Sequence, residues 1–401
     1  MRKGKYHEEI IAPGDLASRL AHEVCRKSYG NSPAVRVVPR QPGNFRGAVN
    51  FAWPKHVLKM MGEGEMAMTF QNDGAGGKPQ FFTLMGVPQV FSGLGWEIIA
   101  MCADDIARFG GLPVLMMNQV DVKRITKENF PLFCAMMKGY GRALKVAGLV
   151  NITGEIAVMK HSITAFCDNG DDGQLVLTWS GGCLGLVHKD RVIDGSKIGP
   201  KMPIVGFYEP SYRCNGGTFF TNLYLLAHER WGKDAFNGNI AIDYASRLTI
   251  SSKSYARLIS RAHGWKPDGN ISKPLVDITG IAHITGGGVW GKLGDLLPKG
   301  VGAVLDNMPN PPAILREAQE VSWETDLRLT DHEAYGTFHG GCGMLVVCRN
   351  YDDAGILIEQ AKKNGVRAIV VGHTVKSIKK EIKIRSRFKE GRWLSSEELK
   401  K

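Results

Sequence analysis

The chain has 401 residues, 43% hydrophobic and 22% charged, a balance that excludes a disordered protein and suits a soluble globular one of two domains. Its longest apolar runs, such as residues 366–372, are strand-length and exclude a membrane-spanning helix. The first twenty residues carry acids and no apolar stretch of signal-peptide length, so the expected location is the cytoplasm. Basic residues exceed acidic ones by 51 − 39 = 12. With no aromatics interleaved in the basic stretch 376–392 beyond Phe388, that excess suits phosphate-bearing ligands better than nucleic acid.

In chain order, Met66 to Phe70 reads as an apolar strand running into the turn Asn72 to Gly77. Gly95 to Phe109 has helical spacing at Ile98, Ile99, Met101, Cys102 and Ile106, and Gly110, Gly111 and Pro113 end it. Val114 to Val120 is a buried strand, Glu128 to Ala147 a helix, and Leu149 to Met159 and Leu175 to Val187 are strands. A second block begins near Asp190. Pro203 to Tyr208 is a strand there, and Thr218 to Trp231 and Ser252 to His263 are helices. Ala303 to Leu305, Leu345 to Cys348 and Arg367 to Val371 are strand-like, with a helix from Ala354 to Lys363. Ile382 and Ile384 alternate with charged neighbours, which predicts a solvated edge strand. Both blocks mix strands with helices, so the fold class is α/β or α+β, with domains at 1–189 and 190–401. The eight cysteines form no C-x-x-C pair, which argues against a zinc ribbon or a disulfide framework and predicts buried free thiols.

Four segments are rich in glycine or acids. Asp73-Gly74-Ala75-Gly76-Gly77-Lys78 follows a strand: glycine amides face an anion, Lys78 adds a positive charge, and Asp73 suits Mg²⁺. A plain hairpin turn explains it equally well, and its spacing is not that of a Walker A loop. Asp104 and Asp105 sit late in a helix, where acids oppose the macrodipole and need a cation, either a metal or a basic neighbour. Glu155, after Gly154, suits a metal or an ordinary surface position. His283-Ile284-Thr285-Gly286-Gly287-Gly288 suits a phosphate wrap or a loop that starts a helix.

Taken in order, these segments resemble the aminoimidazole ribonucleotide synthetase family, whose members share the PurM-like fold. Residues 11–15 look like its early I-D-A-G-N and residues 43–47 like G-G-F-G-G. Residues 73–78 match D-G-V-G-T-K short of one threonine, and 100–105 with 110–113 fit A-M-C-V-N-D and the D-x4-G-A-x-P signature. Residues 154–159 follow G-E-T-A-E-M. Residues 192–197 and 282–288 are nearly verbatim, and 297–304 and 337–344 complete the series. The departures are Arg213 where the S-G-P-H-S-N-G loop has histidine, Gly336 where Y-R-T-F-N has arginine, Val158 and Asn118.

The resemblance implies two domains, with N-terminal sheets of two subunits meeting in a shared β-barrel, hence a homodimer. It implies ATP and Mg²⁺ as cofactors, with Asp73, Asp105 and Glu155 as metal ligands and Gly74, Gly76 and Lys78 on the phosphates. It also places Arg213, Asn215, Gly216, Thr285, Gly286, Gly287 and Gly288 on a ribonucleotide substrate. Arg213 would stand in for the arginine missing at Gly336, and His283 is a candidate proton shuttle, a hydrogen-bonded core role being the alternative. The implied activity is ring closure of formylglycinamidine ribonucleotide in purine synthesis. The alternatives are a sister enzyme of the selenophosphate synthetase, thiamine-monophosphate kinase or hydrogenase-maturation type, or a non-catalytic nucleotide-binding paralogue.

Overall fold

The computed structural model describes residues 12–38, 50–236 and 239–400; Ile11 and the 43–47 segment lie outside them. The N-terminal half runs α1 (Ala12–Lys27), β1 (Arg36–Val37), β2 (Phe51–Ala52), α2 (Lys55–Gly62), β3 (Met66–Gly74), α3 (Lys78–Met85), α4 (Pro88–Leu94) and α5 (Glu97–Arg108). It continues with β4 (Leu112–Val122), α6 (Phe130–Ala147), β5 (Val150–Val158) and β6 (Leu177–His188). Four of its strands form one sheet in the order β3-β6-β4-β5. Only β4 and β5 are parallel, and α6 is the crossover that such a pair requires. Gly148 closes α6 in the left-handed conformation, its amide on the Leu144 carbonyl.

The C-terminal half runs β7 (Pro203–Tyr208), α7 (Gly217–Phe236), α8 (Asn239–Leu248), α9 (Ala256–Ala262), β8 (Ile278–His283) and α10 (Gly288–Leu296). Then come β9 (Val301–Leu305), α11 (Ala313–Ser322), α12 (Asp331–Thr337), β10 (Cys342–Cys348), α13 (Tyr351–Lys363), β11 (Ala368–Lys376), β12 (Ile382–Arg385) and β13 (Trp393–Ser395). A seven-stranded sheet has the order β13-β12-β9-β11-β7-β10-β8. Strand β10 is buried along its whole length, and its alternation feeds two cores. Met344, Val346 and Cys348 join one apolar cluster; Cys342, Leu345 and Val347 join another.

Helix α5 lies where the halves meet. Ten of its twelve residues are buried, the pattern of a helix enclosed on every side. It packs on β3 and β6 of the first sheet and on β8 and α9 of the second half. One continuous apolar cluster therefore runs from Ile98 and Ile99 to Val205, Phe207 and Met344.

The mixed α/β class expected from the sequence is what the chain adopts, and all eight cysteines are free, six of them buried. One expectation is corrected. Ile382 and Ile384 alternate with exposed Lys383 and Arg385 as read, but β12 is not an edge strand, because β13 covers it on the outer side. At the other sheet, edge strand β3 leaves Met68 48% and Phe70 61% exposed.

Candidate functional site

Three chain segments deliver acidic and glycine-rich loops to one region. Strand β3 ends at Asp73 and Gly74, the C-terminal half of α5 carries Asp104 and Asp105, and β8 ends at His283 before the glycine loop that starts α10. His283 Nδ1 lies 2.9 Å from Asp105 Oδ1, and Arg108 Nε lies 3.0 Å from the same oxygen. On its other side, His283 Nε2 lies 3.0 Å from Arg213 Nη2. A guanidinium can only donate, so Nε2 accepts, Nδ1 carries the proton, and that proton goes to Asp105.

Burial, reinforced by the Arg213 charge, pushes the His283 pKa down to about 4 against the opposing bond to Asp105. The ring is neutral near pH 7 and both nitrogens are engaged. Of the two roles expected for His283, this geometry favours the hydrogen-bonded core one over the proton shuttle: His283 orients Asp105. The two aspartates diverge. Burial raises Asp73, helped by the nearby charge of Asp105. Asp105 also feels burial, but the hydrogen bond from His283, with the charges of Arg108 and Lys292, outweighs it and holds its carboxyl below the usual range.

Lys78 is not at this site. Its side chain has 0% exposure, and Nζ lies 3.0 Å from Glu97 Oε1. The ammonium also donates to the carbonyls of Tyr212 (3.0 Å) and Ile250 (2.8 Å) and to Ser252 Oγ (3.3 Å). With its donors consumed, it ties α3 to the C-terminal half and leaves nothing for a phosphate.

Arg213 is likewise sealed, at 1% exposure. It bonds Glu209 (2.5 Å), Asp104 (3.2 Å) and the Lys253 carbonyl (2.9 Å). Asp104 also accepts from Ser254 Oγ and from the amides of Tyr255 and Ala256, and burial pushes its pKa up to about 7. Arg213 is therefore an internal counter-charge and does not replace the arginine missing at Gly336.

Glu155 is set apart by the pleat. Asp73 pairs with Gly181, Gly181 with Asn118, and Asn118 with Gly154. Glu155 follows Gly154, so it faces the opposite side of the sheet from Asp73 and lies three strands away, about 14 Å at about 4.8 Å per strand. It is exposed, and within one chain it does not join Asp73 and Asp105.

The glycine loops fit closely. A Cβ on Gly76, whose φ is +55°, would lie 2.2 Å from the Cys214 carbonyl, so the loop after Asp73 seats directly on the Arg213–Gly216 loop. A Cβ on Gly288, at φ +58°, would lie 2.1 Å from the Tyr335 carbonyl. Gly286 lies beside the Asn215 amide, and Gly216 packs on Phe338. Thr285 is half-buried, and Gly286 and Gly287 are exposed at the mouth of the loop. Asn215, Gly216 and residues 283–288 are thus brought together.

The residues fit a magnesium nucleotide. Among the described residues Asp73 Oδ1 accepts only the amide of Gly74, so most of the lone pairs of this carboxylate are free of partners there. No group of three or more His, Cys, Asp or Glu side chains forms a metal cage among the described residues. Magnesium needs none, since it is commonly held by one or two carboxylates and by substrate phosphates. Asn215 Oδ1 is buried and accepts no hydrogen bond among the described residues, a place for a ligand donor. Sequence reasoning missed Glu97, Glu209 and Lys292. An acid in the apolar run Gly95–Ile99 and a Glu209/Arg213 pair four apart were the signals for the first two.

The family profile for AIR synthase related protein, N-terminal domain, matches residues 55–187, and that for the C-terminal domain matches residues 270–385. A phosphoribosylformylglycinamidine cyclo-ligase of Citrifermentans bemidjiense is 25% identical over 284 residues, 71% of this chain and 73% of that protein. Among solved structures, E. coli HypE, a hydrogenase maturation protein, superposes with a TM-score of 0.55 at 14% identity, covering 94% of this chain and 95% of its own. HypE in complex with ATP gives 0.54 at 12% identity, covering 94% and 92%. Thiamine-monophosphate kinase from Stenotrophomonas maltophilia gives 0.53 at 13%, covering 89% and 93%. These likenesses show a shared fold. No helix among the described residues is long and apolar enough to cross a membrane.

Proposed function

Because this chain belongs to the family of AIR synthase related proteins, we propose that it is an ATP-dependent enzyme that activates a carbonyl oxygen by phosphorylation. Its specific reaction is the closure of formylglycinamidine ribonucleotide to aminoimidazole ribonucleotide. The observation that supports this reading best is the pair Asp73 and Asp105, the latter oriented by His283, beside the glycine loop of α10. The relative named as a cyclo-ligase supports the specific reaction.

In this reading Asp73 and Asp105 hold Mg²⁺, which when bound neutralises phosphate charge. The formyl oxygen of the substrate takes the terminal phosphoryl group of ATP, releasing ADP. The amidine nitrogen then attacks the same carbon, a C–N bond forms, the C–O bond breaks, and phosphate leaves. The nucleophile is part of the substrate, so the protein supplies orientation and charge rather than a covalent partner. Asn215 and the 283–288 loop orient the ribonucleotide, and the Asp105–His283 contact fixes the carboxylate.

A homodimer belongs to the same proposal. Met68 and Phe70, on the open edge of β3, are apolar side chains that a second copy would cover. The test is incubation with Mg·ATP and formylglycinamidine ribonucleotide, following aminoimidazole ribonucleotide by its diazo colour, with Asp105→Ala as control. ATP-dependent product that vanishes in the control establishes the cyclo-ligase. Tight Mg·ATP binding without product moves the assignment to another ATP-dependent member of the superfamily.

A further inference from the structure

With Lys78 sealed against Glu97, the cation that a bound triphosphate requires must come from elsewhere. Helix α10 carries one. Lys292 is its fifth residue, half-buried, and it makes no hydrogen bond or ion pair with any described residue. A half-buried ammonium without a partner is uncommon, because long charged side chains normally reach either a counter-ion or open water.

Its surroundings are acidic. The Lys292 charge is felt by both Asp73 and Asp105, which lie on two other elements of the chain. The placement follows from helix geometry. Helical side chains lean back toward the N-terminus, so the stem of Lys292 runs over the first turn of α10, toward Gly288 and the loop behind it. That loop is pinned at its far end, where His283 is 2.9 Å from Asp105. Lys292 therefore stands within electrostatic reach of the two carboxylates but beyond ion-pair distance of either, a separation with two acids on one side and a cation on the other. A phosphoryl group bridged to the acids by a divalent cation has the charge to fill it, and a lysine ammonium is a point charge suited to its non-bridging oxygens.

The geometry points to Lys292 as the residue that grips the terminal phosphoryl group of ATP in this chain, in the role the D-G-A-G-G-K segment suggested for Lys78. The assignment rests on the reading that ATP is the co-substrate. A grip on the terminal phosphoryl group acts on the group being transferred, so it contributes to affinity for ATP and little to that for ADP.

The test is calorimetric titration of the full-length protein with Mg·ATP, Mg·ADP and adenosine, for wild type, Lys292→Gln and Lys292→Arg. Thermal melts confirm that each variant is folded. Lys292→Gln is expected to weaken Mg·ATP binding by about 10- to 100-fold, the range of a hydrogen bond to a charged group. It should change Mg·ADP and adenosine by less than about threefold, and Lys292→Arg should recover most of the loss, because it keeps the charge. A folded Lys292→Gln protein that binds Mg·ATP as wild type does, or loses ATP and ADP equally, overturns the assignment and leaves the proposed function standing. A wild-type protein that binds no Mg·ATP overturns both.

Discussion

Lys78 Nζ lies 3.0 Å from Glu97 Oε1, and neither side chain has any solvent exposure. Glu97 also accepts the amide of Ser252, so the pair connects α3 and α5 to the second half of the chain. Removing one partner strands the other as a buried charge, which costs about 3–5 kcal/mol. Lys78→Met is therefore expected to lower the urea midpoint sharply, and the Lys78→Met/Glu97→Leu double variant to recover most of it. A Lys78→Met protein with unchanged stability but lost ATP affinity would show that the lysine serves the nucleotide after all.

Arg213 neutralises two acids from different parts of the chain, Asp104 on α5 and Glu209 after β7. Arg213→Met leaves both without their cation, so stability should fall by about 3–5 kcal/mol. Arg213→His, which restores the residue typical of the resembling family, should fall almost as far, since imidazole cannot span both carboxylates. Chemical denaturation measures this. A variant that melts like wild type and shows only a raised KM would place Arg213 on the substrate.

Three histidines are buried and held neutral: burial pushes His263 and His283 down to about 4 and His339 down to about 3. A base whose folded pKa is depressed contributes stability that is complete above its unfolded value, about 6.5, and is lost as pH falls toward the folded value. Unfolding free energy should thus fall between pH 6.5 and 4. Asp104, raised to about 7, works in the opposite sense, because the folded state takes up its proton first. His339 can be isolated: its Nε2 donates to the Ser211 carbonyl and its Nδ1 accepts from Gly341. Urea melts of His339→Gln should show a pH slope shallower than wild type by about 1.4 kcal/mol per pH unit below pH 6. Identical slopes would mean that His339 is protonated in the folded state.

On β3, Phe70 is 61% exposed and belongs to an open sheet edge. If a second copy covers it, Phe70→Glu should convert a dimer to a monomer in light scattering while leaving the circular dichroism unchanged. A wild-type protein that runs as a monomer removes the dimer from the proposal.

Much of the fold was legible because periodicity is a local property. The helix expected at Gly95 to Phe109 is α5 at Glu97–Arg108, and the Ile382/Ile384 alternation is a real strand. Residues 78–94 went unread because Gly86, Pro88 and Gly93 interrupt two short helices too brief to show a period. The destinations of polar residues were not legible. Lys78 and Arg213 carry the residue types of a ligand site, yet each is also held by a partner more than a hundred residues away in the chain. Glu155 is set apart from the two aspartates within the chain for a different reason, since one step along a pleated strand reverses the face. What the motif order did locate was the meeting of Asp73, Asp105 and the 283–288 loop.

Helix α5 serves two sheets, and that sharing bears on how the protein is made. The ribosome releases α5 well before helix α9 and strand β8, which pack on its second side. Until those elements emerge, the nascent chain holds an apolar helix face, with the acids of Glu97 and Asp104 on it, that awaits its cover. The burial of α5 is therefore completed only once synthesis has passed β8.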